Sequence, residues 1–224
     1  MTDTQQVDDS GTPGSAPGAA PGSAPGTAPG GAVVIPARAA AVLGRFDSFD
    51  RWVDERVAER LRGNAIADRV FYAASALGDH GLVWLILADL HALGAADRWR
   101  SWLRVAGALG VESIIVNGPV KWVFRRQRPE AKGEARLPLR TPHTSSFPSG
   151  HATSAFCAAT LLSEADPRRR GAYFTMAAVV AWSRVHVRLH HASDVIGGAA
   201  IGTVLGVVAK RLVPLRPRPA RGRG

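Results

Sequence analysis

From Trp102 to Val213 the chain alternates apolar blocks of helix length with short edges dense in arginine. Hydrophobic residues make up 46% of the chain while the formal net charge is +10, and the two coexist because they are segregated. Apolar runs bounded by basic edges are the pattern of a chain threaded through a bilayer, where the backbone has to satisfy its own hydrogen bonds as helix. The spacing therefore predicts an all-α integral membrane bundle of about six helices. A basic nucleic-acid binder is the other reading of so much positive charge. No basic recognition helix and no interleaving of basic with aromatic residues appears, so no nucleic-acid partner is expected.

The expected membrane-embedded domain covers 63–214. Asn64 to Gly78 is interrupted by Asp68 and Arg69, and Gly81 to Ala95 by Asp89 and His91. Both fall short of the roughly 20 residues that cross a bilayer, so they either extend into flanking residues or pack inside the bundle. Trp102 to Phe124 is long enough, and its Glu112 and Asn117 are expected to face protein. His151 to Glu164, Ala172 to Val187 and Val195 to Val213 follow. The last carries Gly197, Gly198, Gly202 and Gly206, and small residues at four-residue spacing let helices approach closely.

Ahead of this domain, 1–36 contains an Ala-Pro-Gly repeat with Ser and Thr that buries no apolar area and reads as a disordered tail. The segment 37–62 is amphipathic, with Phe46, Phe49, Trp52, Val53, Val57 and Leu61 recurring at three- and four-residue steps. It reads as an interfacial helix, lying on the membrane surface or packed on the bundle. Residues 215–224 form a basic tail expected in the cytoplasm. Met1 to Ser10 is acidic and polar, so an internal apolar segment, not a cleavable signal, is expected to direct insertion. Cys157 is the single cysteine, excludes an intramolecular disulfide and reads as packing.

Three basic or imidazole-bearing stretches stand at the block edges. The first is Lys121, six residues, then Arg128-Pro129. The second is Pro148-Ser149-Gly150-His151, just before an apolar helix. The third is Ser183-Arg184, five residues, His190, three residues, Asp194. Residues four apart share a helix face, so His190 and Asp194 are expected to touch. A carboxylate beside an imidazole fixes its tautomer and supports its cation. Lys121, Arg128 and Arg184 can cradle a phosphate, and the amides around Ser149, Gly150 and His151 open a helix, a natural anion site. Helix parity brings all three stretches to one membrane face.

Other residues carry weaker signals. His186 shares four-residue steps with His190 and Asp194, which also reads as a metal site. His191 points about 100° from His190. Arg125, Arg126 and Arg188 read as headgroup contacts or solvated charges. His143, with Thr141, Thr144 and Ser145, sits in the loop over the site.

Taken in order, the three stretches resemble the tripartite signature of the phosphatidic acid phosphatase type 2 superfamily, the lipid phosphate phosphatases, over roughly the second half of the chain. The resemblance implies hydrolysis of a lipid phosphomonoester or diphosphate of the phosphatidic acid, phosphatidylglycerophosphate or polyprenyl phosphate class. It implies that His190 is the nucleophile, forming a phosphohistidine, that Asp194 orients it, and that His151 is the general acid. Neither a metal nor another cofactor is implied. Two other readings use the same scaffold: an enzyme like the vanadium haloperoxidases, with vanadate replacing phosphate, and a non-catalytic lipid-phosphate binder. Arg98, Arg100, Arg104, Arg168–Arg170, Lys210 and Arg211 mark the cytoplasmic ends by the positive-inside rule. The motif face is then expected outside a bacterial plasma membrane.

Overall fold

A computed structural model describes residues 37–93, 98–129 and 144–215, with side chains from residue 44 onward apart from those of His80 and Arg98. The tail expected over 1–36, most of the basic tail over 215–224, and the loop positions Lys132, Arg136, Arg140, Thr141 and His143 lie outside the described residues. Among those described, all regular structure is helical. The order is α1 (Ala37–Arg60), α2 (Ala65–Leu77), α3 (Leu82–Ala92), α4 (Arg98–Ile115), α5 (Lys121–Phe124), α6 (Gly150–Ala165), α7 (Arg170–His186) and α8 (Ala192–Leu212).

Helix α6 is the centre, packing against α8, α7 and α4. Its 16 residues rise only about 24 Å, short of a ~30 Å hydrocarbon core. Ala152, Ala155, Cys157, Ala158, Ala159, Leu161 and Leu162 are all buried, so it is apolar all round because protein surrounds it. Trp84, Leu109, Tyr173 and Val180 close over it from α3, α4 and α7.

Two continuous helical stretches, Trp99–Phe124 and Ala192–Leu212, are long and apolar enough to cross a membrane. Helices α2 and α3 reach that standard only as a pair bent by 73°. Between them Gly78 and the 3₁₀ turn Asp79–Gly81 break the run, with Gly81 in the left-handed region at φ 67°. The expected interruption at Asp68 is the first turn of α2, where a carboxylate suits the helix dipole.

The span Trp99–Phe124 is not one regular helix. Val116–Val120 is a π turn with Gly118 out of helical geometry at φ −91°, ψ −107°, next to Pro119, which donates no backbone hydrogen bond. Glu112 faces protein as expected, with its Oε2 accepting from Ser154 Oγ at 2.6 Å. Asn117 does not: it is exposed. Its polar groups are satisfied within the helix, Nδ2 donating to Ser113 Oγ at 3.1 Å and Oδ1 accepting from Lys121 Nζ at 2.9 Å.

The glycines of α8 permit the closest contact in the bundle. A Cβ on Gly202 would overlap the backbone of Thr153, and one on Gly198 would lie 2.6 Å from the Ser149 carbonyl oxygen. Helix α1 packs on the other side through Val53 and Val57, against Ala181, Val185 and Val195. Its apolar set is therefore split, because Phe46, Phe49 and Trp52 remain exposed. Arg62, just past α1, donates to the carbonyls of Val185 and His186 at 2.9 Å each and so caps the end of α7.

Candidate active site

The ends of α5, α7 and the starts of α6 and α8 meet at one end of the bundle, with the turn after α2. His190 lies in the short connection between α7 and α8, and its backbone N–H donates to the Arg184 carbonyl at 3.1 Å. The expectation of one helix running through His190 and Asp194 is corrected here. Helix α8 begins at Ala192, after His190, so the two meet across a helix start. Asp194 Oδ2 accepts the His191 N–H at 2.8 Å, capping α8, and lies 3.8 Å from His190 Nδ1. That last separation exceeds a hydrogen bond, and such contacts commonly tighten only when substrate is bound.

Arg128 decides the tautomer of His190. Its Nη1 stands 3.2 Å from His190 Nε2 and 2.7 Å from the Leu189 carbonyl oxygen. A guanidinium has no acceptor, so Nε2 must present its lone pair and the imidazole proton sits on Nδ1, facing Asp194. Burial pushes His190 down to about 4, more strongly than the Asp194 carboxylate pulls it up, and Arg128 adds to the fall. The ring is neutral at pH 7. Arg128 itself is lowered by burial, with Asp194 opposing.

Arg184 and His151 converge on one residue of α2. Arg184 Nη1 donates to Ser75 Oγ, and His151 Nε2 lies 3.3 Å from the Ser75 carbonyl oxygen. His151 Nε2 is also 2.9 Å from Asp79 Oδ1 in the turn that breaks α2 from α3. Arg184 is 5% exposed and its Nε has no hydrogen-bond partner among the described residues, a donor left for an anion. Lys121, buried at the end of the π turn, places its Nζ 3.9 Å from where a Gly150 side chain would begin, so the ammonium lies over the start of α6.

Ser149 stands at the junction of α6 and α8. Its hydroxyl accepts from Ala152 N–H at 3.4 Å as the α6 cap, and its own N–H donates to the Asp194 carbonyl at 3.1 Å. The hydroxyl caps α6, and the N–H joins α6 to α8. Arg126 is a larger correction. It is no solvated charge: Nη1 donates to Asp194 Oδ1 and Nη2 to Asp50 Oδ2, each at 2.7 Å. Arg125 does match that expectation, exposed beside Trp122. His186 turns away from His190 and pairs with Asp68 Oδ1 at 2.9 Å while stacking near Phe71, and the described residues hold no cluster of three metal-ligating side chains.

Ser75, Asp79, Ser146, Asp50 and Arg126 complete the site beyond the motif residues. Ser146 Oγ donates to Asp194 Oδ2 at 2.5 Å. A cavity of about 410 Å³ opens beside them, lined by Lys121, Arg126, Arg128, Thr144 and Ser145 among others.

Fold and site together define a helical membrane protein with the cations Arg128 and Arg184 gathered beside a buried, neutral imidazole. Residues 101–218 match the model of the PAP2 superfamily, and the chain belongs to that superfamily. It is 37% identical over 152 residues to decaprenylphosphoryl-5-phosphoribose phosphatase of Mycobacterium tuberculosis, covering 65% of this chain and 82% of that protein. It is 32% identical to lipid A 1-phosphatase of Porphyromonas gingivalis, over 53% of this chain and 26% of that longer protein. Its fold is similar to that of a transmembrane PAP2 type phosphatidylglycerolphosphate phosphatase from Bacillus subtilis. The TM-score is 0.57 at 22% identity, covering 80% of this chain and 98% of that one.

Proposed function

We propose that the chain is a membrane lipid phosphatase in which His190 attacks phosphorus, and that its substrate is a polyprenyl-linked sugar phosphate like the one named for the mycobacterial relative. The observation that carries this reading is the pairing of a neutral, Arg128-held Nε2 lone pair with a buried Arg184 whose Nε lacks a partner. A lone pair aimed into a cluster of cations suits attack on a tetrahedral anion.

In the proposed reaction Lys121, Arg128 and Arg184 hold the phosphate oxygens, and Gly150 leaves room for them. His190 Nε2 forms a bond to phosphorus as the P–O ester bond breaks. Burial, Arg184 and His190 favour neutral His151 before substrate binds, and the negative charge of a bound phosphate opposes them; protonated there and steadied by Asp79, His151 passes its proton to the departing sugar oxygen. Neutral His151 then takes a proton from water, which attacks the phosphohistidine and releases phosphate. Asp194 stabilises the imidazolium through Nδ1–H. Three fixed cations supply the charge that a metal supplies elsewhere, so neither metal nor other cofactor is needed. Ser149 caps α6 at the edge of this cradle, with its hydroxyl proton left to donate to the phosphate.

The embedded domain runs over 63–214, with α1 at the interface and basic residues beyond 215 on the cytoplasmic side. The pocket faces outward across a bacterial plasma membrane, supported by exposed Arg168–Arg170 and Lys210 at the opposite ends. Arg104 gives no support, since it is buried in an ion pair with Glu164. A groove of about 680 Å³ between α3 and α4, apolar apart from Asp89, starts at Leu82, three residues past Asp79, and suits a prenyl tail.

The test is phosphate release by purified protein in excess EDTA, over decaprenylphosphoryl-5-phosphoribose, phosphatidic acid, phosphatidylglycerophosphate and a polyprenyl diphosphate. Release from the first above the others, lost in His190→Ala, is expected. Release that needs a metal, or that survives the substitution, contradicts the mechanism. Equal turnover of all four contradicts the substrate.

A further inference from the structure

The matched family segment begins at residue 101, yet a carboxylate from α1 is built into the hydrogen-bond web of Asp194. The side chain of Asp50 is 3% exposed. Its Oδ2 accepts from Arg126 Nη2 at 2.7 Å and from Ser193 Oγ at 2.6 Å, and its Oδ1 accepts the Ser193 N–H at 2.8 Å. The other arm of Arg126 goes to Asp194 Oδ1 and to Ser193 Oγ. One guanidinium is thus shared by two buried carboxylates, one arm to each, with Ser193 relaying between them.

We propose that Asp50 is a positioning residue for the reaction: by holding one arm of Arg126 it sets how much of that positive charge Asp194 receives, and so how well Asp194 supports His190. The inference rests on the phosphatase reading above. Asp194 spends Oδ1 on Arg126 and keeps Oδ2 for Ser146, the His191 N–H and the imidazole. Without the Asp50 charge, Arg126 has Asp194 as its principal counter-ion. The carboxylate is then neutralised from the side away from the imidazole, and the imidazolium loses support. Asp47 does not replace Asp50, since it stands 3.6 Å from the same nitrogen and is largely exposed. Asp50 also caps the start of α8 through Ser193 N–H, but a cap alone stabilises the helix and leaves the chemistry of His190 untouched.

The experiment uses the full chain in detergent micelles with Asp50→Asn, Arg126→Lys and the double substitution. Lysine keeps the charge but has one ammonium, which cannot hold both carboxylates in this geometry. The expected result is a fall in kcat of about 10- to 100-fold for Asp50→Asn, with KM within about twofold. The ¹⁵N titration midpoint of His190 moves to lower pH, and the double variant is no worse than the poorer single one. A kcat within about twofold of the parent, an unmoved midpoint, or single effects that multiply would overturn the proposal. If Asp50→Asn fails to fold, Arg126→Lys decides: a kcat at least about 10-fold lower with a shifted His190 midpoint is expected, and a kcat within about twofold of the parent or an unmoved midpoint overturns the proposal. The midpoint is read without substrate, so it judges the Asp50 link even if the parent chain releases no phosphate, a result that would remove only the phosphatase reading.

Discussion

Arg128 Nη1 lies 3.2 Å from His190 Nε2, and because it can only donate, it selects the tautomer of His190 that carries its proton on Nδ1 and its lone pair on Nε2. The same guanidinium reaches the Leu189 carbonyl, so it fixes the connection between α7 and α8 as well as the ring. Arg128→Lys keeps a charge but loses the fork. We expect kcat/KM to fall by on the order of 10²- to 10³-fold, measured as phosphate release, while the fold survives by circular dichroism.

Asp194→Asn keeps an oxygen for the His191 N–H and the shape of the α8 cap, but removes the charge facing His190. A drop in kcat on the order of 10³-fold is expected, with binding of a non-hydrolysable phosphonate analogue nearly unchanged. Equal losses in both would mean that the residue holds the pocket open and does little for the imidazolium.

The buried His190 imidazole, lowered to about 4, gives a pH signature. In the unfolded chain it titrates near 6.5. The folded state binds the proton less readily, so the stability associated with this group is fully present above about pH 6.5 and is lost as pH falls toward 4. Imidazole ¹⁵N spectra of the substrate-free protein, assigned with His190→Gln, should show this midpoint near 4. A midpoint near 6.5 would contradict the enclosed setting described for the ring.

Gly202→Ala tests the α6–α8 contact, since the new methyl group would overlap the Thr153 backbone. Overpacking of this kind costs about 1–3 kcal/mol, and more where backbone must move. The thermal midpoint in detergent should fall, whereas Gly107→Ala on α4, where a methyl group meets nothing, should leave it unchanged or slightly raised.

The motifs were legible because their chemistry is concentrated in short runs whose residue types have few other uses in a membrane. Arg184 and His190 are expensive there unless they do something, and both are buried at the pocket. Asp50, Ser75 and Ser146 were not legible. Each is an ordinary residue in its own segment, and its partners lie between 48 and 143 residues away. Arg126 misled because adjacency to exposed Arg125 suggested a shared fate. Arg125 turns into the left-handed region at φ 41° and ends α5, which sends the two side chains different ways. The break in the longest span had a signal in Gly118-Pro119, but its effect, presenting Lys121 over Gly150, depends on where α6 begins.

The Gly198 and Gly202 contacts have a consequence for the pocket. They bring the main chains of α6 and α8 together, one helix opening beside His151 and the other carrying Asp194. At Gly202 the gap between those helices is set by the Thr153 main chain, and at Gly198 by the Ser149 carbonyl together with the small side chains of Ala152 and Thr153. The distance between His151 and Asp194 therefore depends little on the outward-facing positions of either helix, and a change of shape at this end of the bundle falls to α2, α3 and the segment after α5.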